Sequence, residues 1–483
     1  MNHLLSLCFL MNLIPSFFFL HAISEEKLLS LIHEHEAEIP VLNSLSSSEM
    51  RSSASEKRWQ DSYNTTLNSS LMTGKTGENS FITSQPVYDE TSSFNVGMQK
   101  KLGLGTSLSA MVEAQKKHYE SAGGEHSRTT TIGKVAIEID LWKNFLGRFD
   151  ESKSEFYRLS KEIAKDESVL EKRSFINQMR GIYWNLVAKE HAINIATKQF
   201  ELAKEQEADA RLRHKNSVAD LGELARYGAQ TAMRESTVNF LLYERENLVN
   251  EIKKNLPFLT DDDLDVAGIG IAQTEQEVLT CLKIISAQET PEQNSSTWNL
   301  IALNVENLSK QNQYLLKSYA MPDISLQLQG SSKNTQDTFA KSYDDHFKRD
   351  YGGYQAGVFV NIPLGRRNTV GDDVAADKLS THAKVTRIKS DLVMMHEFTQ
   401  KAHVLLIRAL SGQQRGSKNL ELRVSEMQKK FKQGRITVGE LMMDQDSFLN
   451  GELNLINTKS TVIGVILKYL TVFDGTKCSF NRI

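Results

Sequence analysis

Two short segments carry the most specific chemistry in this sequence: Asp220-Leu221-Gly222-Glu223 and Thr437-Val438-Gly439-Glu440. An oxygen side chain followed three residues later by glutamate is the signature of a helix start. The first side chain accepts a free backbone N–H, and the glutamate reaches back to the N–H of the first residue. Each such cap contributes on the order of 1 kcal/mol. Other polar clusters carry less. Gly74-Lys75-Thr76 has the end of a phosphate-binding loop, but Ser69 stands where its first glycine belongs. His33-Glu34-His35-Glu36 alternates ligand types at adjacent positions, which point to different faces of a helix. Asp261, Asp262, Asp263 and Asp265 lack the glycine and terminal glutamate of a calcium loop. No nucleophile stands in a motif with its base. The sequence predicts no enzyme, metal or cofactor.

The two caps belong to a repeat. Thr437 lies 217 positions after Asp220, and Leu364-Gly365-Arg366 repeats Leu146-Gly147-Arg148 at an offset of 218. Two landmarks about seventy residues apart share nearly one shift, so the chain holds two structural repeats. Each half opens with a pair of alternating segments. Leu108, Ala110, Val112 and Ala114 share one face, followed by Val135, Ile137, Ile139 and Leu141. The second half matches them with Ile324, Leu326 and Leu328, then Ala356, Val358, Val360 and Ile362. Period-two alternation predicts strands with one face in an apolar medium and one in water. Trp142, Phe145, Tyr351 and Tyr354 near the strand ends suit a membrane interface or core packing. A polar loop, Lys333 to Tyr351, joins the second pair.

Very long helices follow. Phe149, Phe156, Ile163 and Leu170 recur every seven residues, as do Met179, Leu186, Ile193 and Phe200. Late in the chain Leu441, Phe448, Leu455, Val462 and Tyr469 form one such row, with Met442, Leu449, Ile456, Ile463 and Leu470 beside it. Seven-residue spacing marks helices packed lengthwise, and two adjacent rows allow contact with neighbours on both sides. The caps make each helix pair reverse sharply, at Lys215 to Leu221 and at Lys432 to Val438.

Composition sets the outer bounds. Of 483 residues, 40% are apolar and 24% charged, too polar for a bundle of membrane helices. A formal charge of −3 gives no basic excess for nucleic acid. Met1 to Ala22 reads as a secretory signal: an apolar run from Leu4 to Leu20, small Ala22 at the cut, and Glu25 and Glu26 after it. Cys281 and Cys478 remain beyond it; a bridge is open to them in an oxidising compartment, though cysteines so far apart are more often unpaired.

Pro322-Asp323-Ile324-Ser325-Leu326, then Gly357-Val358-Phe359-Val360-Asn361-Ile362-Pro363-Leu364, the long helix after it and the turn Gly434 to Leu441 resemble the TolC-like outer-membrane efflux and secretion channels. Asp140-Leu141-Trp142 through Gly147-Arg148 is the matching junction of the first half, and the resemblance covers nearly the whole chain after the signal. It implies an α+β membrane protein: a homotrimer in outer-membrane lipid, each chain giving four strands to a transmembrane β-barrel and its long helices to a coiled-coil tunnel in the periplasm. Four strands cannot close a barrel and lipid excludes open edges, whereas three copies give twelve. The resemblance also implies a periplasmic adaptor (membrane fusion) protein and an inner-membrane transporter as partners. It places an acidic constriction at Glu440, where three carboxylates would concentrate cations. It assigns the adaptor-facing tips to Ser217, Val218, Asp220, Gly434, Arg435 and Thr437. Gly365 departs from the aromatic residue common after the proline-leucine pair.

The expected order is a signal (1–22), an N-terminal helix (23–60) and an extra polar or strand segment (61–104). A first β-hairpin (105–145), a helical hairpin (146–256), an equatorial subdomain (257–297) with a short strand at Val266 to Ala272, and a helix (298–321) come next. The second β-hairpin (322–364), the second helical hairpin (365–472) and a tail (473–483) complete it. The extra segment has no partner in the second half; it either extends the sheet or lies outside as a loop. The rival expectation is a soluble or periplasmic coiled-coil tether, which accounts for the heptads but not for the signal or the paired strands.

Overall fold

The computed structural model describes residues 23–75, 87–121, 124–218, 220–287, 296–344, 352–362 and 367–482. The signal segment, Thr76, the Leu364-Gly365-Arg366 landmark, Tyr351 and the polar loop residues 345–350 lie outside them. The elements in chain order are α1 (Glu25–Glu34), α2 (Pro40–Asp61), β1 (Thr66–Lys75), β2 (Val87–Gly103), β3 (Thr106–Ser121) and β4 (Gly124–Asp140). Then come α3 (Arg148–Lys215), α4 (Leu221–Asn255), α5 (Ile271–Ser286), α6 (Ser296–Tyr319), β5 (Asp323–Gln336), α7 (Phe339–Asp344), β6 (Gly352–Asn361), α8 (Arg367–Lys432) and α9 (Val438–Val472). At 1.5 Å per residue the 68 residues of α3 run roughly 100 Å.

Two compact units divide the chain. One comprises Ser46–Val169 and Ser296–Asp391 and contains the sheet. The sheet is antiparallel throughout, in the order β1-β2-β3-β4-β5-β6. Six strands correct the expected four: the segment 61–104 supplies β1 and β2 and extends the sheet rather than looping outside it. Their pairing rests on a tight turn. Gly103, Leu104 and Gly105 all adopt left-handed backbone, with φ of 80°, 51° and 73°. A Cβ on Gly105 would stand 2.1 Å from the Asn144 carbonyl oxygen, so no side chain fits there. The Asp140 N–H donates to the Gly105 carbonyl at 2.8 Å, tying this turn to the end of β4. Asn144 then starts α3, its Oδ1 accepting the N–H groups of Phe149 and Asp150 at 3.1 Å each. The polar loop of the second hairpin begins as α7, docked on the sheet through buried Ser342. Thr131 Oγ1 donates to the Ser342 carbonyl at 2.9 Å, and Ser342 Oγ donates to the Asn334 carbonyl at 2.9 Å.

The other unit comprises the described parts of Met1–Leu45, Leu170–Ser295 and Leu392–Ile483. Both seven-residue rows of α9 turn inward, with Leu441, Val462 and Tyr469 of one and Leu449, Ile456, Ile463 and Leu470 of the other buried. In α3, Met179, Leu186 and Ile193 are likewise buried. By length and composition α9 is apolar enough to cross a membrane, and here these rows pack against other helices.

Three further expectations are corrected. The N-terminal helix is two helices, because Pro40 has no N–H to continue a helix and serves as the first residue of the next. Val266 to Ala272 forms no strand: Gly268 turns the chain at φ 86°, and Ile271 already begins α5. Cys281 and Cys478 are joined, fixing the tail to α5 across 197 residues of sequence. The same region buries Glu25 against Arg180, Nε to Oε1 at 2.6 Å, with the Trp184 indole N–H at 3.2 Å from that oxygen. Arg180 also donates to the Phe480 carbonyl at 2.8 Å. Burial pulls the Arg180 guanidinium below its ordinary pKa, against the opposing pull of Glu25.

Candidate functional site

The two predicted tips share one design. At the end of α3 the Val218 N–H reaches the Arg213 carbonyl and the Ser217 N–H the His214 carbonyl, both at 2.9 Å, with Ser217 left-handed at φ 60°. At the end of α8 the Arg435 N–H reaches the Lys430 carbonyl and the Gly434 N–H the Phe431 carbonyl, again at 2.9 Å, with Gly434 at φ 71°. Each is a Schellman stop, and the equivalent residues stand 217 positions apart. Asp220 and Thr437 then start α4 and α9 as predicted, accepting the N–H of Glu223 at 2.6 Å and of Glu440 at 3.3 Å.

The caps are not identical. Glu440 completes the reciprocal box, its Oε2 accepting the Thr437 N–H at 2.8 Å. Glu223 does not reach back; its carboxylate pairs instead with Arg213 at 2.7 Å, because the end of α3 presents a guanidinium there. Only the second tip keeps the expected box. The N–H and hydroxyl of Thr437 hold the Glu440 carboxyl below the usual carboxylate range, so it is ionised at neutral pH.

Below the exposed turns the helix ends pack together. Ala210, Tyr227 and Val438 form a buried cluster with Leu224, Phe431 and Met442 against it. A polar layer follows: Gln230 Nε2 donates to Gln445 Oε1 at 3.2 Å, Arg234 pairs with Asp446, and Arg423 pairs with buried Asp444 at 2.9 Å. This layer is not legible in the sequence because each pair joins two different helices, whose facing positions only the fold sets. Ser217, Val218, Asp220, Gly434, Arg435, Thr437 and Glu440 are all exposed at the tips. Of the rejected motifs, His35 stacks on Phe258 and pairs with Glu38, Asp263 accepts the Thr260 N–H, and Gly74 and Lys75 lie on β1.

The second feature is the sheet. Register places Leu67 and Leu71 of β1 beside Met98 and Phe94 of β2, then Ala110, Val112 and Ala114 of β3. The band continues through Val135 and Ile137 of β4, Leu328 and Leu326 of β5, and Ala356 and Val358 of β6. Leu71, Phe94, Val112, Val135, Leu328 and Val358 are exposed, Leu71 to 78%. The opposite face carries Asn68, Ser70, Asn95, Gln99, Ser109, Glu113, Glu138, Gln327 and Gln355. An uncovered apolar band this wide marks an interaction surface. Trp142, Phe145 and Tyr354 are exposed, not core residues.

No protein-family model matches the sequence, and no curated protein does. Solved structures do. VceC, an outer membrane protein of Vibrio cholerae, superposes with a TM-score of 0.64 at 12% identity, over 93% of this chain and 96% of its own. The fold is that of the outer-membrane channels. The Campylobacter jejuni CmeC outer membrane channel gives 0.65 at 11% identity, over 96% and 90% of the two chains. The open state of the Neisseria gonorrhoeae MtrE outer membrane channel gives 0.63 at 14%, over 94% and 89%. In this outer-membrane channel fold, the tips and the apolar band are the two surfaces left to explain.

Proposed function

We propose that this chain is the subunit of an outer-membrane channel-tunnel, a passive exit duct for efflux or type I secretion. The carrying observation is the exposed apolar band across the sheet, backed by a polar opposite face. In water such a band is a liability; in a closed barrel its apolar side meets lipid and its polar side lines an aqueous lumen. Three copies form the barrel, and the helices extend into the periplasm. Exposed apolar side chains on the helices suit neighbouring copies: Met233 and Phe240 stand seven apart on α4, and Met394, Phe398 and Leu405 share a face of α8. The tips, Ser217, Val218 and Asp220 with Gly434, Arg435 and Thr437, meet the periplasmic adaptor, through which an inner-membrane transporter delivers cargo. Glu440 sets the charge of the mouth.

Surface labelling of intact cells tests this, with single cysteines at Asp344 beside the second hairpin loop and at Gln433 in the second tip. The native cysteines are paired and stay in place. Labelling at 344 without labelling at 433 is expected. Labelling at neither, with the protein in the soluble fraction, rejects the channel in favour of the tether.

A further inference from the structure

The sheet ends in two long edges. Among the described residues, β1 and β6 have no strand on their outer sides, and each is ten residues long. Five successive antiparallel pairings separate them, so β6 of one copy meets β1 of another antiparallel. Their patterns match in phase: Leu67 and Leu71 lie on the same apolar face as Ala356 and Val358, and Asn68 and Ser70 on the same polar face as Gln355 and Gly357. A second copy therefore continues both faces without a break.

The β1-β2 hairpin is not a loose appendage. β2 pairs with β3 from Val87 to Gly103 with two register shifts. The Gly103-Leu104-Gly105 turn is wedged against the junction into α3, where Gly105 leaves no room beside Asn144 and a Cβ on Gly147 would meet Leu104 Cα at 3.0 Å. Peeling the hairpin away would strip β3 of its partner and unseat this turn. Nor can β1 stay an open edge in a bilayer, where no water satisfies its free N–H and C=O groups.

We infer that β1 of each copy pairs with β6 of the next, so that three copies close a barrel of eighteen strands rather than twelve. The inference rests on the channel proposed above. At equal strand tilt, barrel diameter grows about linearly with strand number, so this pore is roughly half as wide again as a twelve-strand one. The added hairpin contributes Asn68, Ser70, Asn95 and Gln99 to its lumen. The outer-membrane part of this duct passes bulkier cargo than the four-strand plan allows.

Cysteine cross-linking in isolated membranes tests the pairing. Ala356→Cys on β6 is combined in turn with Leu67→Cys, Ser69→Cys or Leu71→Cys on β1, with Asn68→Cys and Ser70→Cys as opposite-face controls. Copper phenanthroline should convert most of the monomer to covalent trimer for one or two of the same-face pairs, and for neither control. Cross-linking of Ala356→Cys to Ala110→Cys or Val112→Cys on β3 would overturn the inference, because β6 would then close on β3 in a twelve-strand barrel. An SDS-resistant outer-membrane trimer with no β1 cross-link would overturn it equally. Recovery of the unmodified chain in the soluble fraction instead rejects the channel itself, a failure separate from the strand count.

Discussion

Thr437 and Glu440 close the second tip on each other: the Thr437 N–H donates to the Glu440 carboxylate at 2.8 Å, while the Glu440 N–H donates to the Thr437 hydroxyl at 3.3 Å. The carboxylate thus caps a helix and holds a negative charge at the exposed tip. Glu440→Gln separates the two roles. The amide oxygen still accepts the Thr437 N–H, but the charge is gone. Single-channel recordings should show weaker cation selectivity or cation block in an intact trimer. Unchanged conductance, selectivity and block would remove Glu440 from the gate.

The same contact fixes a pH response. Because the folded state holds this carboxyl below its ordinary pKa, its stabilising contribution is full above the unfolded-state value. It is lost as pH falls through the lowered, folded-state value. The protection of the amides from Gly434 to Leu441, measured against their intrinsic exchange at each pH, should begin to fall as pH drops through the usual glutamate range and reach its floor below it. Thr437→Ala, which removes the other half of the box, should cost about 1 kcal/mol and speed exchange there at neutral pH.

How far these features were legible depends on how local their cause is. The long helices and the four predicted strands are written in seven-residue and two-residue periods, and the tips in a few contiguous residues. β1 was not legible. Its outward face reads Leu67, Ser69, Leu71, Thr73, and Met72 stands on the polar face, so the alternation is diluted until Met98 and Phe94 lie alongside it. The box at Glu223 failed for a related reason, since Arg213 of the preceding helix captures the carboxylate. Glu25 with Arg180, Arg234 with Asp446 and Cys281 with Cys478 join residues that only the finished fold brings together.

The sheet faces predict opposite responses to one substitution. Val112→Lys puts an ammonium on the apolar band, which costs about 2–4 kcal/mol near the middle of a bilayer. Asn95→Lys places the same charge on the polar face beside Glu113, its register partner. Heat-resistant trimer on gels should be lost in the first and kept in the second. Equal tolerance of both would mean that the band does not face lipid.

Gly105→Ala tests the turn that locks the added hairpin. The new methyl would lie far inside contact distance of the Asn144 carbonyl, at a φ of 73° that alanine adopts poorly. The turn has to open, so trimer yield should fall. Gly74→Ala, on β1 of the added hairpin but with open space around its Cβ, is the control and should assemble normally.

The Cys281–Cys478 bridge closes a loop of 197 residues, and removing such a crosslink typically costs 2–5 kcal/mol. Reductant should lower the melting temperature of the wild-type protein and leave the Cys281→Ala, Cys478→Ala double variant unmoved. A wild-type melt insensitive to reductant would place the stability of the tail elsewhere.

Elsewhere for the tail means Arg180, which reaches both chain ends: Glu25 near the start through an ion pair, and the Phe480 carbonyl near the end. The guanidinium is fully buried, so its desolvation is offset only while these partners stay in place. Arg180→Met should therefore cost about 3 kcal/mol, the lower end for breaking a buried pair, because Glu25 keeps Arg482 at 3.4 Å and the Trp184 N–H. The double variant separates the lost pair from the stranded charge. Arg180→Met with Glu25→Leu removes both charges and leaves neither uncompensated, so much of the loss should return. Denaturant titration of the four proteins measures the coupling. If the double variant is as damaged as the two single losses added together, the pair is not interacting and the chain ends are held by their other contacts, the Cys281–Cys478 bridge and the Arg482 ion pairs among them.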